Sequence, residues 1–135
     1  MRARLRAAAY RAGVSAYAAA SRPGKILRAS TPLETPSGRS MARVQVDRDA
    51  SRGYPVVSLQ PSNGVKAGTR LGVYFHGGSY VHGISRFHWS LLADIVRRSG
   101  ARVLVSGYPL ADRQKADRTV PQAADLVAEA TALAG

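Results

Sequence analysis

The sequence predicts an α/β fold, and two features of its second half carry that prediction. Residues 71–75 are a continuous apolar run, typical of a strand buried on both faces, and residues 102–105 begin another such run. Between them, Ser85 can cap the start of a helix. The helix is expected to end at Ser99, because Gly100 suits a left-handed exit. A strand, a helix and a strand form a βαβ crossover, which makes parallel sheet.

The crossover helix carries its apolar residues at helical spacing. Phe87, Leu91 and Ile95 recur every four residues, with Leu92 and Val96 beside them. One broad apolar stripe of this kind is expected to face the core.

A last helix is predicted after the polar segment 112–118. Thr119 and Gln122 have the spacing of a capping box, so the helix is expected to begin there. Its apolar face comprises Leu126, Val127, Ala130 and Leu133.

Two short strands are predicted in the first half, at residues 41–46 and 54–59. A polar loop over residues 47–53 joins them. Residues 61–64 close the second strand with turn-forming side chains. The expected architecture is a mostly parallel sheet of about four strands with flanking helices.

The first forty residues differ from the rest. Residues 5–20 are rich in alanine and predict a helix, and residues 29–40 contain prolines and a glycine typical of a linker. We therefore divide the chain into a basic N-terminal helix and linker, residues 1–40, and an α/β domain, residues 41–135.

The chain is strongly basic, with a formal net charge of +12. Residues 1–52 hold 11 Lys/Arg and 3 Asp/Glu, so the excess is concentrated near the N-terminus. Such a leader could bind nucleic acid or an anionic membrane surface. The basic residues form no stripe interleaved with aromatics, so we predict a solvated surface and no nucleic-acid partner.

Cysteine is absent, which excludes a disulfide framework, a thiolate zinc site and a cysteine nucleophile. No apolar run approaches the ~20 residues of a spanning helix, so no transmembrane segment is expected. The Arg-rich first 33 residues have the composition of an organelle transit peptide. An amphipathic helix from an Ala/Arg-biased genome has the same composition, and we favour that interpretation. We therefore predict a cytoplasmic protein.

The sequence His76-Gly77-Gly78 follows the first buried strand and precedes the helix. This places it at the carboxyl end of a parallel strand, where ligands bind in open α/β sheets. Glycine lets a substrate oxygen approach backbone N–H groups closely, because no Cβ stands in the way.

Residues 74–83 resemble the His-Gly-Gly oxyanion-hole motif of the hormone-sensitive-lipase-like branch of α/β-hydrolase esterases. Other segments resemble that family in the same order, over roughly residues 71–134: its first helix at 87–93, the next strand at 100–103, its Tyr-Arg-Leu-Ala-Pro-Glu segment at 108–111 and the following helix at 121–125. The resemblance implies a serine carboxylesterase or lipase that acts on small-molecule esters without a cofactor, and a cap-like role for residues 1–40.

By the same resemblance, Gly77 and Gly78 would donate backbone N–H groups to an oxyanion, and His76 would support the loop. Three departures from the family bear on this geometry. Ser79 stands where a further glycine is usual, Pro109 replaces an arginine, and Asp112-Arg113 replaces Pro-Glu.

The family nucleophile lies on a Gly-x-Ser-x-Gly elbow, and no serine of this sequence has both glycines. Four serines have only the first glycine: Ser15, Ser40, Ser79 and Ser85. We therefore expect the fold to be cut before the nucleophile strand, the Ser-Asp-His triad to lie beyond Gly135, and the chain alone to be inactive.

A local replacement for the triad is not expected. His76, His82 and His88 are the only histidines, and no carboxylate is marked as their partner. Their spacing of six residues matches no common metal-ligand pattern, so no metal is expected.

The resemblance also implies that the nucleophile strand pairs with the strand over residues 71–75. Without it, that strand would be an exposed apolar edge prone to association. Two alternatives stay open: a non-catalytic interaction protein or gene remnant that pairs with a C-terminal half or with itself, and a basic binder of nucleic acid or a membrane surface.

Overall fold

The computed structural model describes Leu33, Pro36 and residues 38–66 and 68–134. The predicted helix over residues 5–20 and most of the predicted linker lie outside the described residues, so the boundary at residue 40 stays a prediction. Leu33 nevertheless belongs to the hydrophobic core.

Four strands and two helices form the described part of the chain. The strands are β1 (Val44–Asp49), β2 (Val56–Pro61), β3 (Leu71–Phe75) and β4 (Arg102–Ser106), and the helices are α1 (Arg86–Ser99) and α2 (Ala116–Ala134). A short 3-10 turn, Arg39–Met41, precedes β1. No helix in the described ranges is long and apolar enough to cross a membrane.

The strands form one sheet in the order β1-β2-β4-β3. β3 and β4 are parallel, with Leu71 opposite Arg102 and Phe75 opposite Ser106, which confirms the βαβ crossover. The other two pairings, β1 with β2 and β2 with β4, are antiparallel. The α/β class and the four strands are therefore confirmed, but the sheet is mixed rather than mostly parallel, because β1 and β2 are joined by a turn too short for a crossover.

The sheet lies between the two helices. Successive side chains of β4 point to opposite faces of the sheet. Val103 and Val105 belong to the hydrophobic cluster under α1, whereas Leu104 belongs to the cluster under α2. The larger cluster, under α1, comprises Leu33, Met41, Val57, Leu59, Trp89, Leu92, Ala93, Val96, Val103 and Val105.

α1 has the predicted ends but buries a different face. Ser85 is its N-cap residue, and Gly100 leaves the helix with a φ of 70°. The buried residues are Trp89, Leu92, Ala93 and Val96, while Phe87, Leu91 and Ile95 are 71%, 52% and 41% exposed. The predicted stripe was therefore only half right: the residues at 92 and 96 pack on the sheet, and the every-fourth series does not.

α2 begins at Ala116, three residues before the predicted capping box. Thr119 lies inside the helix, and its hydroxyl accepts a hydrogen bond from Gln114 Nε2 at 3.0 Å. Gln114 Nε2 also donates to Gln122 Oε1. The predicted cap is wrong because the helix begins earlier, so that the Thr119 N–H and hydroxyl both donate to the Lys115 carbonyl, at 3.1 and 3.2 Å. Of the predicted apolar face, Leu126 and Ala130 are buried, whereas Val127 and Leu133 are exposed.

Three strands differ from their predictions. β2 spans Val56–Pro61 rather than residues 54–59, so it extends into the predicted turn. β1 starts three residues later than predicted, after the 3-10 turn and after Arg43, whose φ is positive. β3 has the predicted bounds, but it is half-buried rather than buried on both faces, and Phe75 is 38% exposed. The reason is its position, because β3 pairs only with β4 among the described strands.

Candidate active site

A cavity of about 760 Å³ opens at the carboxyl end of β3. The loop after β3 forms one side of it, and the segment after β4 together with the start of α2 forms the other. The lining is mostly apolar, with Lys115 as its one permanently charged side chain. The three predicted site residues His76, Gly77 and Gly78, which are consecutive in the sequence, all line this cavity.

The loop backbone has an unusual conformation just after the histidine. Gly78, Ser79 and Tyr80 have φ values of 129°, 54° and 59°, so three consecutive residues lie in the region that side chains disfavour. The Gly78 carbonyl accepts hydrogen bonds from Val81 N–H at 3.1 Å and His82 N–H at 3.0 Å. Strained backbone of this kind persists only where its surroundings hold it, and it is common at active sites.

Tyr108 holds the loop from the segment after β4. Its hydroxyl donates to the His76 carbonyl at 2.6 Å, and its ring stacks on the His76 imidazole with centroids 4.5 Å apart. Both side chains are buried. Sequence reasoning had not named Tyr108 as a site residue, and its only signal was its place in the segment that resembles Tyr-Arg-Leu-Ala-Pro-Glu.

A backbone contact joins the same two segments. Ala111 N–H donates to the Tyr80 carbonyl at 2.8 Å. The segment that contains Pro109 and precedes Asp112-Arg113 therefore still packs on the loop, although its sequence departs from the family pattern there.

Several backbone N–H groups of the loop donate no hydrogen bond in the described residues, and the first two are those of Gly77 and Gly78. Within residues 38–66 and 68–134, neither Gly77 N–H nor Gly78 N–H donates a hydrogen bond. Both residues line the cavity, and Gly77 is exposed. Adjacent unbonded donors beside an apolar cavity can bind an oxygen that carries negative charge.

The other histidines take part in local structure. His88 Nδ1 accepts the Ser85 N–H at 3.0 Å and lies 2.9 Å from Ser85 Oγ, which makes this pair part of the N-cap of α1. No carboxylate hydrogen bonds to His88 within the described ranges, so the pair lacks the third group of a triad. His82 lies at the loop exit, where its carbonyl comes close to Gly78.

Burial lowers the pKa of His76 below its ordinary 6.5, and the nearby His88 adds to this, whereas the hydrogen bond to the Gly77 carbonyl opposes it. A histidine with a depressed pKa in the folded state binds protons better when unfolded. Its contribution to stability is therefore complete above about pH 6.5 and declines as the pH falls through that value.

We expect the free energy of unfolding to decrease between pH 7.5 and 5.5, and to decrease less in a His76→Asn variant. Urea denaturation across this range measures the first effect, and NMR of the His76 ring gives its midpoint directly. A His76 midpoint above 6.5 would contradict the prediction.

Comparison with known proteins gives the same fold. A family model described as the alpha/beta hydrolase fold matches residues 72–134. No curated protein matches the chain significantly. Among solved structures, a Staphylococcus aureus protein assigned as an esterase aligns with a TM-score of 0.68 at 17% identity, over 81% of this chain and 36% of that one.

Two further structures share more of the sequence. An esterase from the bacterial hormone-sensitive lipase family aligns at 27% identity and a TM-score of 0.51, over 77% of this chain and 40% of that one. EstE5 aligns at 27% identity and a TM-score of 0.50, over 75% of this chain and 31% of that one. The chain thus spans less than half the length of the proteins it matches, and it carries part of an α/β-hydrolase fold similar to that of esterases, one of the hormone-sensitive lipase family among them.

Proposed function

We propose that this chain supplies the oxyanion-binding loop of a carboxylic ester hydrolase of the esterase/lipase type. The observation that carries the proposal is the pair of unbonded N–H groups of Gly77 and Gly78 beside the cavity at the end of β3. His76 supports the loop and is not the catalytic base, because it is buried and its Nδ1 is bonded to the Gly77 carbonyl.

The chemistry follows from where charge develops. Attack on an ester carbonyl moves negative charge onto the carbonyl oxygen, and donors fixed in advance stabilise that charge without reorganising. Removing one such donor typically costs on the order of 10²–10³ in rate. The mostly apolar lining favours esters with apolar acyl or alcohol groups, so small neutral esters are the proposed substrates.

The nucleophile, acid and base are proposed to come from outside these 135 residues, because no serine here lies in a Gly-x-Ser-x-Gly elbow. On this proposal the 135 residues alone do not hydrolyse esters. β3 is free on one side within the described sheet, which is where a strand from a C-terminal half would pair.

The test uses the native-length protein, isolated from the cells that produce it. Its intact mass is measured first and compared with the 14.3 kDa of the 135 residues. That protein is assayed with p-nitrophenyl acetate and butyrate and then labelled with a fluorophosphonate, which reacts with activated serine. Peptide mapping should place the label on a serine outside residues 1–135, and the 135-residue chain should show background hydrolysis only. A label on Ser79 or Ser85 would overturn the proposed role of the loop.

A second candidate is an interaction protein that associates through β3. The observation in its favour is the half-exposed apolar edge that ends in Phe75. Light scattering at micromolar concentration should then show dimers or larger species of the 135-residue chain. A monodisperse monomer with a sharp, reversible melt would exclude this candidate.

A further inference from the structure

The direction of a backbone N–H is fixed by whatever holds the carbonyl of the same peptide group. In a trans peptide the C=O of one residue and the N–H of the next point in opposite directions. No cis peptide occurs in the described ranges. A side chain that binds the carbonyl of residue 76 therefore sets the N–H of residue 77, and one that binds the carbonyl of residue 77 sets the N–H of residue 78.

Tyr108 holds the first of these peptide groups. Its hydroxyl donates to the His76 carbonyl at 2.6 Å, and the N–H on the other end of that peptide belongs to Gly77. The phenol is 8% exposed, and its ring is nearly parallel to the imidazole, at 12°. The ring therefore has little freedom to turn its hydroxyl away from the carbonyl.

His76 holds the second. Its Nδ1 lies 2.9 Å from the Gly77 carbonyl, and because a carbonyl only accepts, Nδ1 must carry the hydrogen. The N–H on the other end of that peptide belongs to Gly78. The third peptide group is held by backbone alone, through the two bonds that its Gly78 carbonyl accepts from Val81 and His82.

We propose that Tyr108 is a positioning residue that aims the Gly77 N–H, while His76 aims the Gly78 N–H, so that each of two stacked side chains sets one of two neighbouring donors. The inference rests on the proposed function for its catalytic meaning. Its structural content, one side chain for each donor, can be tested separately.

The test is Tyr108→Phe in the native-length protein, which keeps the stacked ring and removes only the hydroxyl. Tyr54→Phe is the matched control, because Tyr54 is another buried tyrosine whose hydroxyl donates to a backbone carbonyl, that of Gln122 at 3.2 Å, away from the cavity. Both variants lose one buried hydrogen bond, so their melting temperatures should decrease similarly. Only Tyr108→Phe should lower kcat, by about tenfold with KM within about twofold, because a donor that is badly aimed costs less than one that is removed.

The NMR chemical shifts of the loop amides distinguish a positioning role from a general loss of stability. In Tyr108→Phe the Gly77 amide signal should shift more than the Gly78 amide signal, because the lost hydroxyl lies 2.6 Å from the His76 carbonyl and 3.4 Å from His76 Nδ1, and the His76 ring should keep its proton on Nδ1. An unchanged Gly77 signal, or equal losses of kcat in both variants, would overturn the inference. Absence of ester hydrolysis by the unsubstituted protein would instead overturn the proposed function, and the Gly77 signal would still decide the positioning.

Discussion

Gly78→Ala is expected to abolish most ester hydrolysis and to destabilise the fold. A Cβ at this position would lie 2.6 Å from the His82 carbonyl oxygen and 3.0 Å from the His82 Cβ, and the φ of 129° is itself unfavourable for alanine. Because the oxygen is backbone, the loop must move, and the proposed donor moves with it. We expect a loss on the order of 10² in kcat/KM and of about 1–3 kcal/mol in the free energy of unfolding.

Gly77→Ala is the control for the stability part of this prediction. Nothing lies within 4 Å of a Cβ built at Gly77, and its φ is not positive. Urea denaturation should therefore give Gly77→Ala a midpoint close to that of the unsubstituted chain and Gly78→Ala a clearly lower one. If Gly78→Ala kept its activity within twofold in the native-length protein, the Gly78 donor would have no part in the reaction.

Gly107→Ala is expected to destabilise the fold strongly, because a Cβ at this glycine would meet atoms closer than 3.0 Å. A Cβ here would lie 2.8 Å from both the Pro55 carbonyl oxygen and the Pro55 ring, and 2.9 Å from the Leu33 side chain. Gly107 N–H also donates to that same Pro55 carbonyl at 2.8 Å, so the backbones cannot separate without losing the bond. Overpacking of this kind typically costs about 1–3 kcal/mol, a large part of the stability of a small domain.

Gly72→Ala makes the matched comparison. Its added Cβ would be in ordinary contact with Val103 and Arg102, at 3.8 and 3.9 Å, on the neighbouring strand β4. We expect its urea midpoint to be unchanged or slightly higher, since alanine loses less backbone entropy than glycine in a strand. Equal urea midpoints for Gly72→Ala and Gly107→Ala would show that the contact between Pro55 and Gly107 is less tightly packed than the structure indicates.

The crossover was predictable because its signals are local. Ser85 and Gly100 fix the ends of α1 through the chemistry of single residues, and the apolar run before His76 marks β3. The buried face of α1 was not predictable to the same degree. Phe87, Leu91 and Ile95 form one apolar row and Trp89, Leu92, Ala93 and Val96 form another, and only docking on the sheet decides between them.

The candidate site likewise has a part that local sequence predicts and a part that depends on tertiary contacts. The resemblance to esterases could be predicted from the His-Gly-Gly motif together with the ordered segments over roughly residues 71–134, and the comparisons confirm that resemblance. The contact between Tyr108 and His76 joins positions 32 residues apart, and it exists only because β4 lies beside β3. Spacing alone did not place the start of α2 either, because the helix begins at Ala116 and Thr119, the predicted cap, lies inside it.

The burial of Leu33 changes where this protein can be divided. Leu33 belongs to the same core cluster as β2, β4 and α1, and it contacts the position of Gly107 at the end of β4. A gene segment that began at residue 41, as the composition of the first forty residues suggests, would leave a hole under the sheet next to the segment that carries Tyr108. A unit that is exchanged, trimmed or fused to another protein without opening the core therefore has to include residue 33.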